Sequence, residues 1–315
     1  MTEQKGEFKV RFRGVRGSYP VCSPAQMKYG GHTACVEVVA NGKLIVLDAG
    51  TGIINLGVDL AVKHICSGSD DDNRQPVEAV ILFSHVHLDH VQGLPFFKPA
   101  YFKSSVINLF GFKVGDKDFK DALGGIISAP AFPLALNEMP AKISINNLES
   151  GDAIILPPDS STPQLVQKNE KNITELSKGS VLIECMKSQA HPKDGVMVFK
   201  ISCNDRSLVY ASDIESKISG DRELIEFAKN ADLLIHDAQY TMEDYVAQPA
   251  SREGYGHSTP EAAIENAKAA NVRQLALFHI DPGYNDDLLS KMEVKAKGAF
   301  KNTVIAYEGL ELDLM

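Results

Sequence analysis

The chain has 315 residues, 44% hydrophobic and 23% charged, the balance of a soluble globular protein with ample core. Its formal net charge is -9, with 41 acidic against 32 basic residues, which argues against a broad nucleic-acid-binding face and leaves room for a local basic patch at most. Five scattered cysteines without a C-x-x-C pair suggest neither a disulfide framework nor a thiolate zinc site; Cys35, Cys185 and Cys203, in or beside apolar runs, read as buried small hydrophobes. The opening MTEQKGEFKV has no apolar signal region and no apolar run is long enough to span a bilayer, so the expected compartment is the cytoplasm, with no membrane partner.

In chain order, Phe8, Val10 and Phe12 alternate with charged residues as in a half-buried strand, and a glycine-punctuated loop, Gly14 to Ser18, follows. Two apolar runs, Cys35 to Val39 and Lys43 to Leu47, flank Asn41-Gly42, a strong hairpin signal. The second ends in Asp48-Ala49-Gly50; Asp48 either caps this turn or hydrogen-bonds a metal-binding histidine. Ser67 to Pro76, with three consecutive Asp, reads as a solvated loop.

The run Ala79 to Phe83 then delivers His85, His87, Asp89 and His90. Three of the chain's nine histidines fall in this short stretch. Imidazole nitrogens and carboxylate oxygens are the donors that zinc and its first-row neighbours take, so a metal site is expected here and not a polar turn. Strand candidates around Val106 to Phe110 come next, and then Ser128 to Pro133, a connecting loop or a cover over substrate. Residues 150–180, polar and rich in Pro and Ser, read as a surface excursion within a single 1–315 domain.

The second half repeats one pattern. Val181 to Met186 precedes His191, Ser207 to Ala211 precedes Asp213, Asp232 to Ile235 leads into His236-Asp237, and Gln274 to Phe278 leads into His279. Between the last two a helix is predicted over Thr259 to Ala270, opened by Ser258 or Thr259, Pro260 and Glu261. Strand after strand thus presents a His or Asp at its C-terminal end, where ligands of layered α/β proteins collect. The near-continuous apolar character of these strands implies sheets covered by helices on their other face. His236 reads as a structural or supporting residue, and His32 and His64 as ordinary histidines.

The H-x-H-x-D-H element, a later lone His, a strand-end Asp and a last His resemble the metallo-β-lactamase-fold hydrolases. Within them, His85 to Pro95, Leu234 to Ala238, Gly256 to Thr259 and Ala276 to Pro282 are similar to the phosphodiesterase branch that contains ribonuclease Z. The resemblance implies an α/β fold, a four-layer αββα sandwich of two mixed sheets with helices outside and a two-metal site in the cleft. It implies that one metal takes His85, His87 and His191, the other Asp89, His90 and His279, and that Asp213 bridges them. Two divalent ions are expected, zinc first, with manganese and iron as alternatives. His257 is expected to act as general acid with Asp237 orienting it; the family usually has Glu there, one methylene longer. Without that role His257 is simply a helix neighbour. Asp89 counts with the catalytic set.

The activity this implies is hydrolysis of a phosphodiester by in-line attack of a hydroxide bridging the metals. In the resembling tRNA 3′-processing enzymes a long arm that grips tRNA is inserted between the middle His and the bridging Asp. Here the interval between His191 and Asp213 is used up by a strand, a turn and a strand. A small phosphodiester is therefore the expected substrate, a 3′,5′-cyclic nucleotide giving the 5′-nucleotide as best choice, with no extended nucleic acid as partner. The alternative is tRNA 3′ processing. Behind it stand a β-lactam or thioester hydrolase, a di-iron oxidoreductase, which would have Glu at the position of His87, and a non-catalytic metal-binding protein. The oligomeric state stays open, a homodimer included.

Overall fold

The computed structural model describes residues 6–70, 73–168, 176–217 and 219–315. Residues 1–5 of the opening stretch, two aspartates of the acidic loop (71–72) and residues 169–175 of the polar stretch lie outside the described residues. The first half of the chain runs through β1 (Phe8–Gly14), β2 (Cys35–Ala40), β3 (Lys43–Leu47), β4 (Glu78–Leu82), β5 (Val106–Phe112) and β6 (Lys142–Leu148). These form one sheet in sequence order, mixed in direction: β1, β2 and β3 are antiparallel neighbours, and β3 to β6 run parallel. Asn41 and Gly42 both have positive φ (45° and 76°), the left-handed backbone that a two-residue hairpin turn needs, and Ala40 pairs with Lys43 as such a turn dictates.

The second sheet takes β7 (Ala153–Leu156), β8 (Gln164–Val166), β9 (Val181–Ser188), β10 (Val196–Cys203), β11 (Arg206–Ala211), β12 (Leu233–Asp237), β13 (Gln274–Phe278) and β14 (Thr303–Ile305), in the order β14-β13-β12-β11-β10-β9-β7-β8. The last strand, β15 (Glu311–Asp313), returns to the edge of the first sheet beside β1. β10 and β11 are joined by a two-residue turn, Asn204-Asp205, whose residues are both exposed.

The expectation for residues 150–180 is corrected here. Ala153–Leu156 is not an excursion but a strand hydrogen-bonded to β9, with Ile154 fully buried between the sheets. Only four apolar residues mark it, closed off by Pro157-Pro158, so it carries too little pattern to stand out from its polar flanks.

Burial explains the near-continuous apolar strands. In β11 Leu208 and Tyr210 face the space between the sheets, whereas Val209 and Ala211 face the helices. β13 divides in the same way, Ala276 and Phe278 inward and Leu275 and Leu277 outward. On the first sheet Ile45 and Leu47 point inward and Val46 outward. Strands buried on both faces have no polar side to alternate.

Helices α1 (Gly52–Cys66), α2 (Leu88–Val91) and α3 (Phe119–Ile126) belong to the first half, and α4 (Arg222–Phe227), α5 (Met242–Val246), α6 (Pro260–Ala269) and α7 (Asp286–Ala299) to the second. α1 and α3 cover the first sheet; α6 and α7 pack on β13 and β14 of the second. The order of layers is helix, sheet, sheet, helix. α6 begins as its sequence predicts: the Thr259 hydroxyl accepts from the Ala262 N–H, Pro260 occupies the first turn and Glu261 complements the helix dipole. The segment Ser128 to Pro133 lies on the connection from α3 to β6, where Phe132 meets Phe96 edge-on at 5.6 Å. Among the described residues no helix is long and apolar enough to cross a membrane.

Candidate metal centre

β3 and β4 of one sheet run parallel, as do β11, β12 and β13 of the other, so their C-terminal ends gather side chains at one edge of the sandwich. Asp48 follows β3, His85 and His87 follow β4, and Asp89 and His90 sit on α2 one step later. Asp213 follows β11, Asp237 ends β12 and His279 follows β13; His191 comes just after β9. Three of these residues, Asp48, Asp213 and His279, hold left-handed backbone (φ 59°, 52° and 59°), a conformation that costs about 1 kcal/mol or more for residues other than Gly. The strand does not run on through them: the chain turns sharply and leaves the side chain at the edge.

All seven residues predicted as metal ligands meet there, in two groups that share Asp213. In one, His90 Nε2, His279 Nε2 and a carboxylate oxygen from each of Asp89 and Asp213 converge. His279 Nε2 lies 3.1 Å from His90 Nε2, from Asp89 Oδ2 and from Asp213 Oδ1. His90 Nε2 lies 3.2 Å from Asp213 Oδ1 and 3.4 Å from Asp89 Oδ2. In the other, His87 Nδ1 faces His191 Nε2 at 3.1 Å, and His85 Nε2 lies 3.5 Å from Asp213 Oδ2. The two oxygens of Asp213 thus serve different groups.

These separations test the fit to a metal. Four donors at bonds of about 2.0–2.2 Å around a tetrahedral ion stand roughly 3.3–3.6 Å from each other, and both groups are close to that spacing. His85 Nε2 is buried with no hydrogen-bond partner, although an orphaned buried nitrogen is costly. A ring nitrogen left without a hydrogen-bond partner and facing the Asp213 carboxylate at 3.5 Å is placed as a metal ligand would be.

The atoms behind the donors are fixed too. Asp48, fully buried, accepts from the Ser84 N–H and hydroxyl, from Tyr210 Oη and from His90 Nδ1, all at 2.7–2.8 Å. It therefore backs His90, one of the residues predicted as ligands, in line with the second of its two expected roles. His85 Nδ1 donates to the Ser84 hydroxyl (3.1 Å) and His191 Nδ1 to the Gly256 carbonyl (3.0 Å), leaving each Nε2 as a donor atom. Asp89 Oδ2 also accepts from the Ser18 N–H at 2.6 Å.

Electrostatics follow the geometry. Burial pushes His85, His87 and His191 below the ordinary imidazole value, so they stay neutral and ready to bind. Burial acts against charge on Asp89 and Asp213 as well, but facing histidines outweigh it and hold both well below the usual carboxylate range. The same pairing works in reverse on His279: burial lowers it, yet Asp213, Asp237 and Asp89 raise it to about 10. His90 is likewise raised, by Asp213, Asp89 and Asp48.

His257 Nδ1 donates to Asp237 Oδ2 at 2.7 Å. Asp237 Oδ1 is held by the N–H groups of Ser258 (2.8 Å) and Gln239 (3.1 Å). The shorter carboxylate reaches because Asp237 still belongs to β12 and the Ser258 backbone closes on it. His257 also approaches the metal ligands, its Nδ1 4.0 Å from Asp213 Oδ2. His236 stays out of the cluster: Nδ1 donates to the Asp237 carbonyl and Nε2 accepts from Asn266. His32 meets Thr51 and Asn55, and His64 bonds the Gln75 carbonyl. The supporting roles of Ser18, Ser84, Tyr210 and Gly256 were not predicted from the sequence. Their contributions come from backbone atoms or from long-range pairing, and the sequence marked only the loop that ends at Ser18 and the element that Gly256 opens.

A family model described as a β-lactamase superfamily domain matches residues 44–280. Ribonuclease Z of Halalkalibacterium halodurans is 41% identical over 103 residues, 33% of this chain and 30% of that protein. Ribonuclease Z of Archaeoglobus fulgidus is 37% identical over 111 residues, 35% and 33% of the two chains. The matched segments thus span about a third of these relatives. Among solved structures, the metallo-β-lactamase-fold protein YhfI of Bacillus subtilis superposes with a TM-score of 0.62 at 19% identity, over 98% of this chain and 100% of that one. A diphosphatase from the PhnP family gives 0.64 at 14% identity over 98% of each chain. Zinc-bound PqqB from Methylobacterium extorquens gives 0.65 at 14% identity over 97% and 100%. At such identities these structures speak for the fold.

Proposed function

This chain belongs to the β-lactamase superfamily, and from that premise we propose that it is a metal-dependent phosphodiesterase acting on a small phosphodiester. The observation that carries the reading is His257, bonded to Asp237 at 2.7 Å and set beside a doubled His/Asp cluster. His85, His87 and His191 would hold one divalent ion, Asp89, His90 and His279 the other, and Asp213 both. When bound, the two ions supply water activated near neutral pH and positive charge against the phosphoryl oxygens.

The chain's own residues do the rest. Asp48, Ser84 and the Gly256 carbonyl keep the ligand rings turned inward. Asp237 accepts from the His257 Nδ1–H and so fixes that tautomer and the ring, which leaves Nε2 as the nitrogen to carry the proton to the leaving oxygen. The relatives named ribonuclease Z favour a phosphodiester over a lactam or thioester.

Two features favour a small substrate. Between His191 and Asp213 stands only the β10–β11 hairpin with its two-residue turn, where tRNA-processing enzymes of the resembling branch carry their gripping arm. The net charge of -9 also works against a long polyanion. A 3′,5′-cyclic nucleotide is the substrate of choice in this reading. The second reading, tRNA 3′ processing, is favoured by the ribonuclease Z segments themselves. Metal-loaded protein assayed against cyclic AMP and GMP, a generic aryl phosphodiester and precursor tRNA separates the two. Cleavage of the small diesters is expected; cleavage of precursor tRNA alone overturns the small-substrate reading.

A further inference from the structure

Glu215 stands two residues beyond Asp213, outside both groups of donors, and its carboxylate is the anchor of the loop that ends at His257. Oε1 accepts from the Tyr245 hydroxyl at 2.6 Å and from the Gly254 N–H at 2.7 Å, and Oε2 accepts from the Gly256 N–H at 2.7 Å. The backbone N–H of Glu215 reaches the other way, to the Ala190 carbonyl at 2.9 Å, next to His191. One residue therefore binds the chain on both sides of the His191–Gly256 contact.

That contact is tight and directional. The Gly256 carbonyl accepts from His191 Nδ1 at 3.0 Å, which leaves Nε2 facing His87 Nδ1 at 3.1 Å. Gly256 has φ +88°, and a Cβ there would stand 2.3 Å from His191 Nδ1. No residue with a side chain fits between the loop and the ring, so the carbonyl's place depends on what holds the loop. A carboxylate facing two N–H groups and a hydroxyl makes charge-assisted bonds, about twice the strength of neutral ones.

We propose that Glu215 is a positioning residue that sets the tautomer and orientation of His191 through the Gly254–Gly256 turn, and with them the affinity of the His85/His87/His191 position for its metal. The inference rests on reading His191 as a ligand. It separates this position from the other, because Asp89 and His90 are held by Ser18 and Asp48, His279 faces Asp237 at 3.5 Å, and none of the three bonds the Gly254–Gly256 turn.

The test is zinc titration of the metal-free full-length chain against a chromophoric chelator, comparing wild type with Glu215→Gln, which keeps the size but turns an amide N–H toward one of the donors. Wild type is expected to take up two zinc ions. In Glu215→Gln one of them should weaken about 10- to 100-fold while the other keeps its affinity, the range typical of lost support behind a metal ligand. Unfolding of the metal-free protein should stay cooperative, which separates this from general damage. Should that variant misfold, Tyr245→Phe removes one of the three donors and should weaken the same ion by about 3- to 10-fold. Two unchanged affinities in the folded variant, or equal weakening of both, overturn the role of Glu215. A wild type that takes up no zinc, manganese or iron overturns the proposed function instead.

Discussion

The rings of His257 and His279 lie stacked, with centroids 5.0 Å apart and planes 13° from parallel, and a single oxygen, Asp237 Oδ2, faces a nitrogen of each at 2.7 and 3.5 Å. One carboxylate therefore backs both a predicted metal ligand and the proposed proton donor, with the shorter contact on the latter. Replacing His257 by Ala removes the donor and leaves the seven ligand residues in place. Turnover of a small phosphodiester should fall roughly 100-fold or more while the metal content of the purified protein is unchanged. Metal loss in His257→Ala, read by elemental analysis, would contradict the assignment of the proton to this residue.

Asp237→Asn keeps the shape of the side chain but presents an amide that can turn its N–H toward His257 Nδ1. The imidazole then favours the wrong tautomer. Turnover is expected to drop by about 100-fold or more, and the drop should be larger for a substrate with a poor leaving group, which needs the proton most. Equal losses for an alkyl and a nitrophenyl diester would sink this role for Asp237.

Metal binding should be linked to protons. In the metal-free protein His279 is raised to about 10 and His90 is also raised, so both carry protons at neutral pH that a metal must displace. Raised folded-state values above an unfolded value of about 6.5 mean that these two groups stabilise the metal-free fold fully below that pH, and that this contribution fades as pH rises through the folded values. Zinc therefore binds more tightly and stabilises the fold more at pH 8 than at pH 6, with proton release. Calorimetry in buffers of different ionisation enthalpy reads the protons directly; uptake, or none, refutes the linkage.

Asp48 is fully buried and its two carboxyl oxygens are satisfied by Ser84, Tyr210 and His90. Tyr210→Phe takes away one of its donors and should cost about 1–3 kcal/mol in urea unfolding. Asp48→Asn also disturbs the His90 ring and should weaken zinc about 10- to 100-fold. Wild-type zinc affinity in Asp48→Asn would show that the His90 bond is incidental.

The residues predicted as ligands do converge, and most of them were legible in the sequence because they follow an apolar run, as His279 follows Ala276-Leu277-Phe278. The layered fold was legible for the same reason: strands without a polar side imply cover on both faces. Ala153–Leu156 was not, since four apolar residues between Asp152 and Pro157 are too few to register a period. Nor was Glu215, whose role consists of bonds to N–H groups that every non-proline residue carries. What makes Gly254 and Gly256 its partners is where the chain brings them, and no side chain records that in advance.

The turn at Asn204-Asp205 offers a practical handle. β10 leaves the metal edge and β11 returns to it, so their turn lies at the opposite pole, more than about 20 Å along the strands from Asp213. Both turn residues are exposed. A fluorophore or surface tether attached there would orient the molecule with its mouth outward, and a reporter at that pole would follow the integrity of the sandwich without entering the path of a substrate.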